Sequence, residues 1–482
     1  MIISRQPHIE INLRPWLIAA VIVKLMVFAY FTLNIDATRN PKMLVNGFCL
    51  VGGDSGQYFT PTEDMVHGEG YSTFCRLPGM MPIYAPLYAM LGEVPAKSII
   101  VILQVLLDAF ATVLLAVLAV RMFKFKSMFY WTLAIASIGT FVSMRAYYLL
   151  SDSFCISFLI LAAYFFTQYL EWNNRKSLLY AGFFLCWSLF FRTVIVAAYP
   201  AFFLVLLVHA WSNKKDMIKD MAAFFAATIV FLGIWNIYNY PKLNRMVVIQ
   251  PAVEECFSQY TPEFQSVRNL IMAMGEDFQP WNKTSAAHWF FAADANVDQS
   301  PFIADDYTEA YNLDSLKVLR IHFLAFRDSE SDSSKAYLSN EVITDANRFR
   351  ESYIHAHPMA YWVKNRIRFT REFLFPTHYD DHPFPKFSEM KWHSKLVVAG
   401  SLALLLIINL LGLLGMALAL FKRNWKLVLW ALLPFLLIFP LAYTGFIEQR
   451  YLATGYPFMS LFAVYPLALA WDWWKSRKIA KA

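Results

Sequence analysis

The sequence predicts an all-α polytopic membrane protein with about ten transmembrane helices and a mixed or mainly helical exterior domain. Three observations carry that expectation. Of 482 residues, 58% are hydrophobic and only 16% charged, where soluble domains carry roughly 25% charged residues. The apolar residues come in long runs, such as LALLLIINLLGLLGMALAL over 402–420, and about 18 such residues suffice to cross a bilayer as a helix. Finally, the formal net charge of +7 is gathered into short loops: Arg121, Lys124 and Lys126; Arg175 and Lys176; Lys214, Lys215 and Lys219; Lys422, Arg423 and Lys426; Lys475, Arg477, Lys478 and Lys481. Short basic loops stay cytoplasmic. Membrane topology accounts for them, so they call for no nucleic acid.

Hydropathy places the spans near 16–33, 97–120, 128–144, 153–170, 178–191, 193–210, 221–240, 396–421, 427–446 and 452–471. An even number sets both termini on one side, and every basic loop falls on that side. Residues 1–14 are short and polar, and the first apolar stretch lacks a small-residue cleavage site. It therefore reads as a retained helix and not a removed signal peptide. The third, fifth and sixth spans are short and are joined by tight exterior turns at 145–152 and at Arg192. Short helices are tolerated where they line a cavity within the protein. Residues 82–91 are too few to span and are expected along the interface.

The expected organisation has three parts. Residues 1–240 form an N-terminal transmembrane core that carries the first exterior loop, 34–96. Residues 241–393 form an exterior domain, rich in Asp, Glu, Asn, Ser and aromatics, with an amphipathic stretch over 360–375. A segment of that length can fold on its own. Residues 394–482 return to the membrane. No internal repeat is visible.

Candidate chemistry gathers on the exterior side. Asp54 lies in Gly52-Gly53-Asp54-Ser55-Gly56-Gln57-Tyr58, followed by Tyr71 and by Arg76-Leu77-Pro78-Gly79. Glycines let a backbone turn sharply and approach a ligand closely. A carboxylate held this way can accept a proton as general base; the bland alternative is a solvated turn aspartate. Arg76 either grips a phosphate with paired donors or snorkels to headgroups. Asp152 opens the fourth span, as a helix cap or as a second acid in the cavity. Arg192 lies between two apolar stretches, where an arginine near hydrocarbon costs roughly 2.5–3.5 kcal/mol on insertion scales and faces a cavity or a partner. Arg450, in Glu448-Gln449-Arg450-Tyr451, either binds phosphate or pairs with Glu448. Lys24 and Asp108 fall at similar depth inside spans and are expected to pair, since an isolated intramembrane charge is costly.

Other groups point less sharply. Of five cysteines, Cys155 and Cys186 read as buried packing residues. Cys49 and Cys75 share the first exterior loop, where an oxidising setting permits a disulfide. The run His378-Tyr379-Asp380-Asp381-His382 holds metal-ligand residue types without a recognised spacing. His355 and His357 are weaker candidates of the same kind. Asn282-Lys283-Thr284 matches a glycosylation sequon.

These residues together resemble the GT-C class of membrane glycosyltransferases, and more narrowly the family of protein O-mannosyltransferases and bacterial aminoarabinose transferases. The resemblance rests on Asp54 and Tyr58, Arg76-Leu77-Pro78-Gly79, Ser151-Asp152, Leu189-Phe190-Phe191-Arg192-Thr193, Trp235-Asn236 and Arg450-Tyr451-Leu452. It implies a GT-C-like fold and transfer of a sugar from a polyprenyl-monophosphate carrier, usually with inversion, to a lipid, glycan or protein acceptor. It also implies that Asp54 is the first-loop catalytic acid, Asp152 the second cavity acid and Arg76 the grip on the donor phosphate; Arg450 or Arg192 is expected to hold that phosphate with Arg76. Tyr58 and Glu448 are expected substrate contacts, and the exterior domain would shape the acceptor pocket. Many relatives carry a second acid directly after the first, where this chain has Ser55. That departure leaves no certain cofactor and divalent-metal dependence open. No P-loop or Rossmann glycine pattern is present. Two rival classes stand beside this reading: an oligosaccharide polymerase or ligase using diphosphate-linked donors, and a lipid or solute transporter or flippase. The expected location is a bacterial inner membrane with the active site facing the periplasm, the endoplasmic reticulum being second.

Overall fold

The computed structural model describes residues 11–34, 44–45, 49–50, 54–71, 76–211, 214–249, 261–276, 285–303, 306–377, 384, 387–444 and 449–479. Apolar runs that must satisfy their own backbone groups in lipid fold as helices, and helices dominate here. A small antiparallel pair, Leu44–Val45 with Cys49–Leu50, is the departure.

Among the described residues, eight helices are long and apolar enough to cross a membrane. They include α1 (Arg14–Leu33), α4 (Glu93–Phe123), α7 (Asp152–Trp172), most of α10 (Lys214–Leu243), Trp392–Phe421 and the last helix, Leu452–Ile479. A ninth span is a broken pair, α5 (Ser127–Ile138) and the residues 141–147 that follow, bent by 49°. The remaining expected span, the fifth, is α8 (Arg175–Phe191), with 17 residues. At 1.5 Å per residue it reaches about 25 Å, less than the roughly 30 Å of a hydrocarbon core. Two interfacial-length helices, α2 (Ser55–Val66) and α3 (Met81–Leu91), lie between α1 and α4.

The break after α5 has a local cause. Gly139 ends the helix, and a Cβ there would stand 2.8 Å from the Ile135 carbonyl oxygen. Lys24 of α1 fills the polar demand at this break. Its Nζ lies 2.9 Å from Asp108 Oδ2 of α4, donates to the Ala136 carbonyl at 2.9 Å and donates to Ser143 Oγ. Two donors of the ammonium thus have hydrogen-bond acceptors, and Asp108 supplies the opposite charge. The expected Lys24–Asp108 pair is thus present, with Lys24 1% and Asp108 7% exposed.

Helix ends sort by charge. At one end, Lys124 and Arg121 of α4 reach Glu171 of α7 at 2.9 and 3.7 Å. Nearby in the fold, Arg175 Nε meets Asp220 Oδ1 at 2.7 Å, and Tyr169 donates to the other oxygen of that carboxylate at 2.5 Å. These contacts tie α4, α7, α8 and α10 at their basic ends. Asp152 and Arg192 occupy the opposite ends of α7 and α8, Asp54 the loop after α1, and Arg450 the turn Gln449–Tyr451 before the last helix.

The chain divides into two compact units. One comprises Met1–Gln250, Leu374–Ile438 and Gln449–Ala482; the other comprises Pro251–Phe373 and Phe439–Glu448. In the second, Thr261 caps Pro262–Met274, and Asn312 forms a reciprocal capping box with Ser315 at the start of Leu313–Asp328, satisfying backbone donors at the helix starts. Its core includes Leu270, Phe290, Leu316, Phe323, Val342 and Phe349. Arg320 crosses this core and donates to the carbonyls of Trp289, Ala292 and Ala295 at 2.5, 2.9 and 3.0 Å.

Removing one partner of a buried ion pair leaves the other charge uncompensated, at a cost of about 3–5 kcal/mol. Lys24→Ala and Asp108→Ala are each expected to lower the thermal midpoint of the detergent-solubilised protein. The double variant should be more stable than the poorer single; if its loss equals the sum of the two, Lys24 and Asp108 are not coupled.

Candidate active site

Asp54 stands immediately before α2, at a position where aspartate ordinarily caps its own helix. Its side chain makes no such bond. The carboxylate turns instead to two arginines, with Oδ2 2.8 Å from Arg450 NH2 and 4.0 Å from Arg76 NH2. Burial alone would raise the pKa of Asp54. The nearby positive charges of Arg450 and Arg76, the Arg450 hydrogen bond and the more distant Arg192 outweigh burial and hold it below the ordinary carboxylate value. Asp54 is therefore ionised at neutral pH.

Each arginine is placed by a separate strap. Arg76 Nε donates to Gln57 Oε1 at 2.8 Å, and its guanidinium lies 5.3 Å from the centre of the Tyr58 ring. Three residues on, Gly79 N–H donates to the Phe190 carbonyl at 3.2 Å, while the Trp187 indole donates to the Gly79 carbonyl at 3.1 Å. A Cβ at Gly79 would sit 2.5 Å from the Phe190 carbonyl oxygen. Only glycine permits this approach. The Arg76 turn is thereby bolted to the last turn of α8, just ahead of Arg192.

Arg192 leaves α8 with extended backbone angles, φ −148° and ψ 124°. Its NH1 pairs with Asp152 Oδ1. Its guanidinium lies 4.9 Å from the centre of the Tyr451 ring, and Arg450 lies 5.3 Å from the same ring. One tyrosine thus touches two cations, an arrangement that the ring quadrupole favours.

Asp152 is 1% exposed and opens α7. The turn before it is pinned from two sides. Ser55 Oγ donates to the Leu149 carbonyl at 2.6 Å, and Gln104 Nε2 donates to the carbonyls of Tyr148 and Leu150 at 3.2 Å each. Ser55, where many relatives by resemblance carry a second acid, here ties the Asp54 helix to the Asp152 turn.

A small cleft of about 70 Å³ opens beside this cluster. Tyr58, Arg76, Arg192, Thr193 and Tyr451 form its polar wall, and Leu77, Val194 and residues 189–191 form its apolar wall. Asp152 meets the cleft through Arg192. An anionic headgroup joined to an apolar tail matches a surface of this kind: cations to take the charge, and leucine and phenylalanine beside them.

The structure thus brings Asp54, Tyr58, Arg76, Arg192 and Arg450 to one place, with Asp152 behind Arg192. Glu448 lies outside the described residues, as do Cys75, residues 378–382 and the sequon at 282–284. Cys155 and Cys186 are buried free thiols. Sequence reasoning did not single out Gln57, Gly79 or Tyr451 as builders of the site. Tyr451 carried a signal, because it follows Arg450 directly. The link from Gly79 to Phe190 left none, since it is a backbone contact across 111 positions (190 − 79).

Comparison with family models finds no match, and no curated protein matches. Among solved structures, the apo form of ArnT from Cupriavidus metallidurans aligns at 13% identity and a TM-score of 0.35, covering 94% of this chain and 78% of that one. The ArnT structure bound to undecaprenyl phosphate aligns at 13% identity and a TM-score of 0.37, covering 94% and 79%. Likeness at this level carries no functional weight for this chain, whose reading rests on its own residues.

Two outcomes follow from this geometry. Gly79→Ala forces a methyl against the Phe190 carbonyl, an overpacking that costs typically 1–3 kcal/mol. It should lower the thermal midpoint and shift the Trp187 fluorescence; an unchanged midpoint would show that the strap is loose. The lowered pKa of Asp54 contributes stability that is fully present above the unfolded carboxylate value of 3.8 and is lost as pH falls through the folded value. Wild type should therefore be more stable than Asp54→Asn by a constant margin from about pH 7 to pH 5, and the margin should close below pH 3.8. Thermal unfolding across that range measures it, and a margin that widens in acid contradicts the pairing.

Proposed function

We propose that this chain is a membrane glycosyltransferase that takes a sugar from a polyprenyl-monophosphate carrier. The observation that carries the proposal is the convergence of Arg76, Arg192 and Arg450, from three loops distant in sequence, around Asp54 beside an apolar cleft wall. A lipid donor presents its phosphate at the edge of the bilayer, where these cations stand. Preformed positive charge aimed at a leaving phosphate stabilises the transition state without reorganisation.

In this reading the resting cluster is partly compensated, with three arginines against Asp54 and Asp152. Asp54 occupies Arg450 and lies near Arg76 until the donor phosphate arrives. Phosphate oxygens then compete for the same guanidinium groups, and the field that held the pKa of Asp54 down is partly neutralised. The carboxylate becomes a stronger base when the donor is bound, which suits general-base catalysis near neutral pH. An acceptor hydroxyl or amine gives its proton to Asp54 as its oxygen or nitrogen bonds to the anomeric carbon. The bond from that carbon to the phosphate oxygen breaks, and its electron pair leaves with polyprenyl phosphate. Attack opposite the leaving group inverts the centre.

Asp152 enters as a positioning residue. Buried and paired with Arg192, it fixes that guanidinium at the cleft. Tyr58 supports Arg76, and Tyr451 supports Arg192 and Arg450. Glu448 is proposed as a further substrate contact. The acceptor is a lipid, glycan or protein, and the setting proposed is a bacterial inner membrane with the cleft facing the periplasm.

Purified protein in lipid nanodiscs, mixed with acceptor membranes and a polyprenyl-monophosphate carrying a radiolabelled sugar, tests this directly. Label should leave the donor, and Asp54→Asn should cut the rate by about 10²–10⁴ without loss of folded yield. Retained turnover removes Asp54 from the chemistry. Consumption of a diphosphate-linked donor in place of the monophosphate favours a polymerase or ligase, and consumption of neither favours a transporter.

A further inference from the structure

The second compact unit holds a cluster that the proposed transfer does not use. Helices Leu313–Asp328 and Asp332–Ala356 pack together there, with Leu319 and Phe323 of the first and Val342 and Ala346 of the second in the core. His322 stands beside Phe323, and Glu341 and Asp345 flank Val342 at a spacing of four. Residues four apart share one face of a helix. A ring nitrogen of His322 and one carboxylate oxygen each from Glu341 and Asp345 all lie within 4.8 Å of one another.

These groups are close but not bonded to each other. All three side chains are half-buried, and His322 Nδ1 is buried with no hydrogen-bond partner among the described residues. No lysine or arginine among the described residues pairs with Glu341 or Asp345. Two like charges held together at the rim of an apolar core, without a counter-cation, repel. A buried imidazole nitrogen without a partner is likewise an unmet demand. A single divalent cation among the three groups offsets the carboxylate repulsion and gives a ring nitrogen of His322 a partner.

We propose that His322, Glu341 and Asp345 form a zinc-class metal site that pins the two helices together. One imidazole and two carboxylates suit zinc, whereas calcium and magnesium prefer oxygen ligands alone. Tetrahedral zinc with bonds of about 2.1 Å holds its ligand atoms about 3.4 Å apart. The three ligand atoms, within 4.8 Å of one another, stand near that spacing. Three protein ligands leave the fourth position to water. The site uses none of the residues of the proposed transfer reaction, so its existence is independent of that function.

Full-length protein in detergent, stripped with a chelator and dialysed against micromolar zinc chloride, provides the test. Wild type should bind one zinc ion per chain more than His322→Ala, and one more than Glu341→Gln/Asp345→Asn. The amide pair is isosteric and removes ligand charge without removing packing, so a matching size-exclusion profile separates metal loss from misfolding. Zinc should raise the thermal midpoint of wild type and leave that of the amide pair unchanged, while magnesium moves neither. His378→Ala/His382→Ala should keep the extra zinc. Equal zinc in wild type and both ligand variants overturns the site, as does a loss confined to the His378 and His382 variant.

Discussion

The ion pair between Asp54 and Arg450 is the constraint on which the rest of the site depends. It joins the loop after the first span to the turn before the last, so the two ends of the membrane unit meet at one oxygen atom, 2.8 Å from its partner. Neither group could face an apolar helix end alone. Burial acts against the charged form of Asp54, and only the surrounding guanidinium groups make its ionisation favourable. Once that pair is fixed, shorter straps define the remainder. Ser55 draws in the turn before α7, and Gly79 clasps the end of α8. Asp152 and Arg192, one on each of those two helices, then come within reach of each other.

Much of this was legible in the sequence because membranes punish unpaired polarity. Apolar runs gave the helices, basic loops gave their direction, and the cations of the short loops on the other side had to sit at helix ends. Asp54, Arg76, Arg192 and Arg450 could therefore be placed on one face before any coordinates. Lys24 and Asp108 were legible for the same reason, being charges at matching depth with no other affordable partner. The Ser143 and Ala136 acceptors of Lys24 were not, since they depend on where Gly139 breaks the chain. Tyr451 reads as an ordinary aromatic until the ends of α8 and of the last loop are brought together. His322, Glu341 and Asp345 were hidden in a different way. The i, i+4 carboxylates are visible on one helix, but the imidazole comes from its neighbour, and only the packing of Leu319 and Phe323 against Val342 and Ala346 sets the register.

The three arginines of the site are not equivalent, and the difference bears on how an anion enters. Arg192 is 9% exposed and committed to Asp152, a partner even more deeply buried. Displacing it leaves a buried carboxylate behind, the costly direction for any buried pair. Arg450 shares a direct contact with Asp54. Arg76 is held by Gln57 and sits 4.0 Å from the carboxylate. Coulomb attraction varies as the inverse of distance, so the ratio 2.8/4.0 gives Arg76 about 0.7 of the pull that Arg450 exerts on Asp54. Of the two cations in direct reach of that carboxylate, the less engaged is thus the one beside Tyr58 at the cleft.

In the proposed reaction, a phosphate approaching along the apolar wall formed by residues 189–191 would reach Arg76 at the least electrostatic cost, and Arg450 next, by exchanging with Asp54. Arg192 contributes field from its fixed place and need not let go of Asp152. That order releases Asp54 from its salt bridge only after the anion is seated, so the base gains proton affinity when a donor is present and not before. A cluster in which two carboxylates offset part of the charge of three arginines also leaves less bare charge against lipid. The same carboxylate that would accept the proton therefore guards the cations, and the change in its surroundings on donor binding couples recognition to chemistry through charge alone.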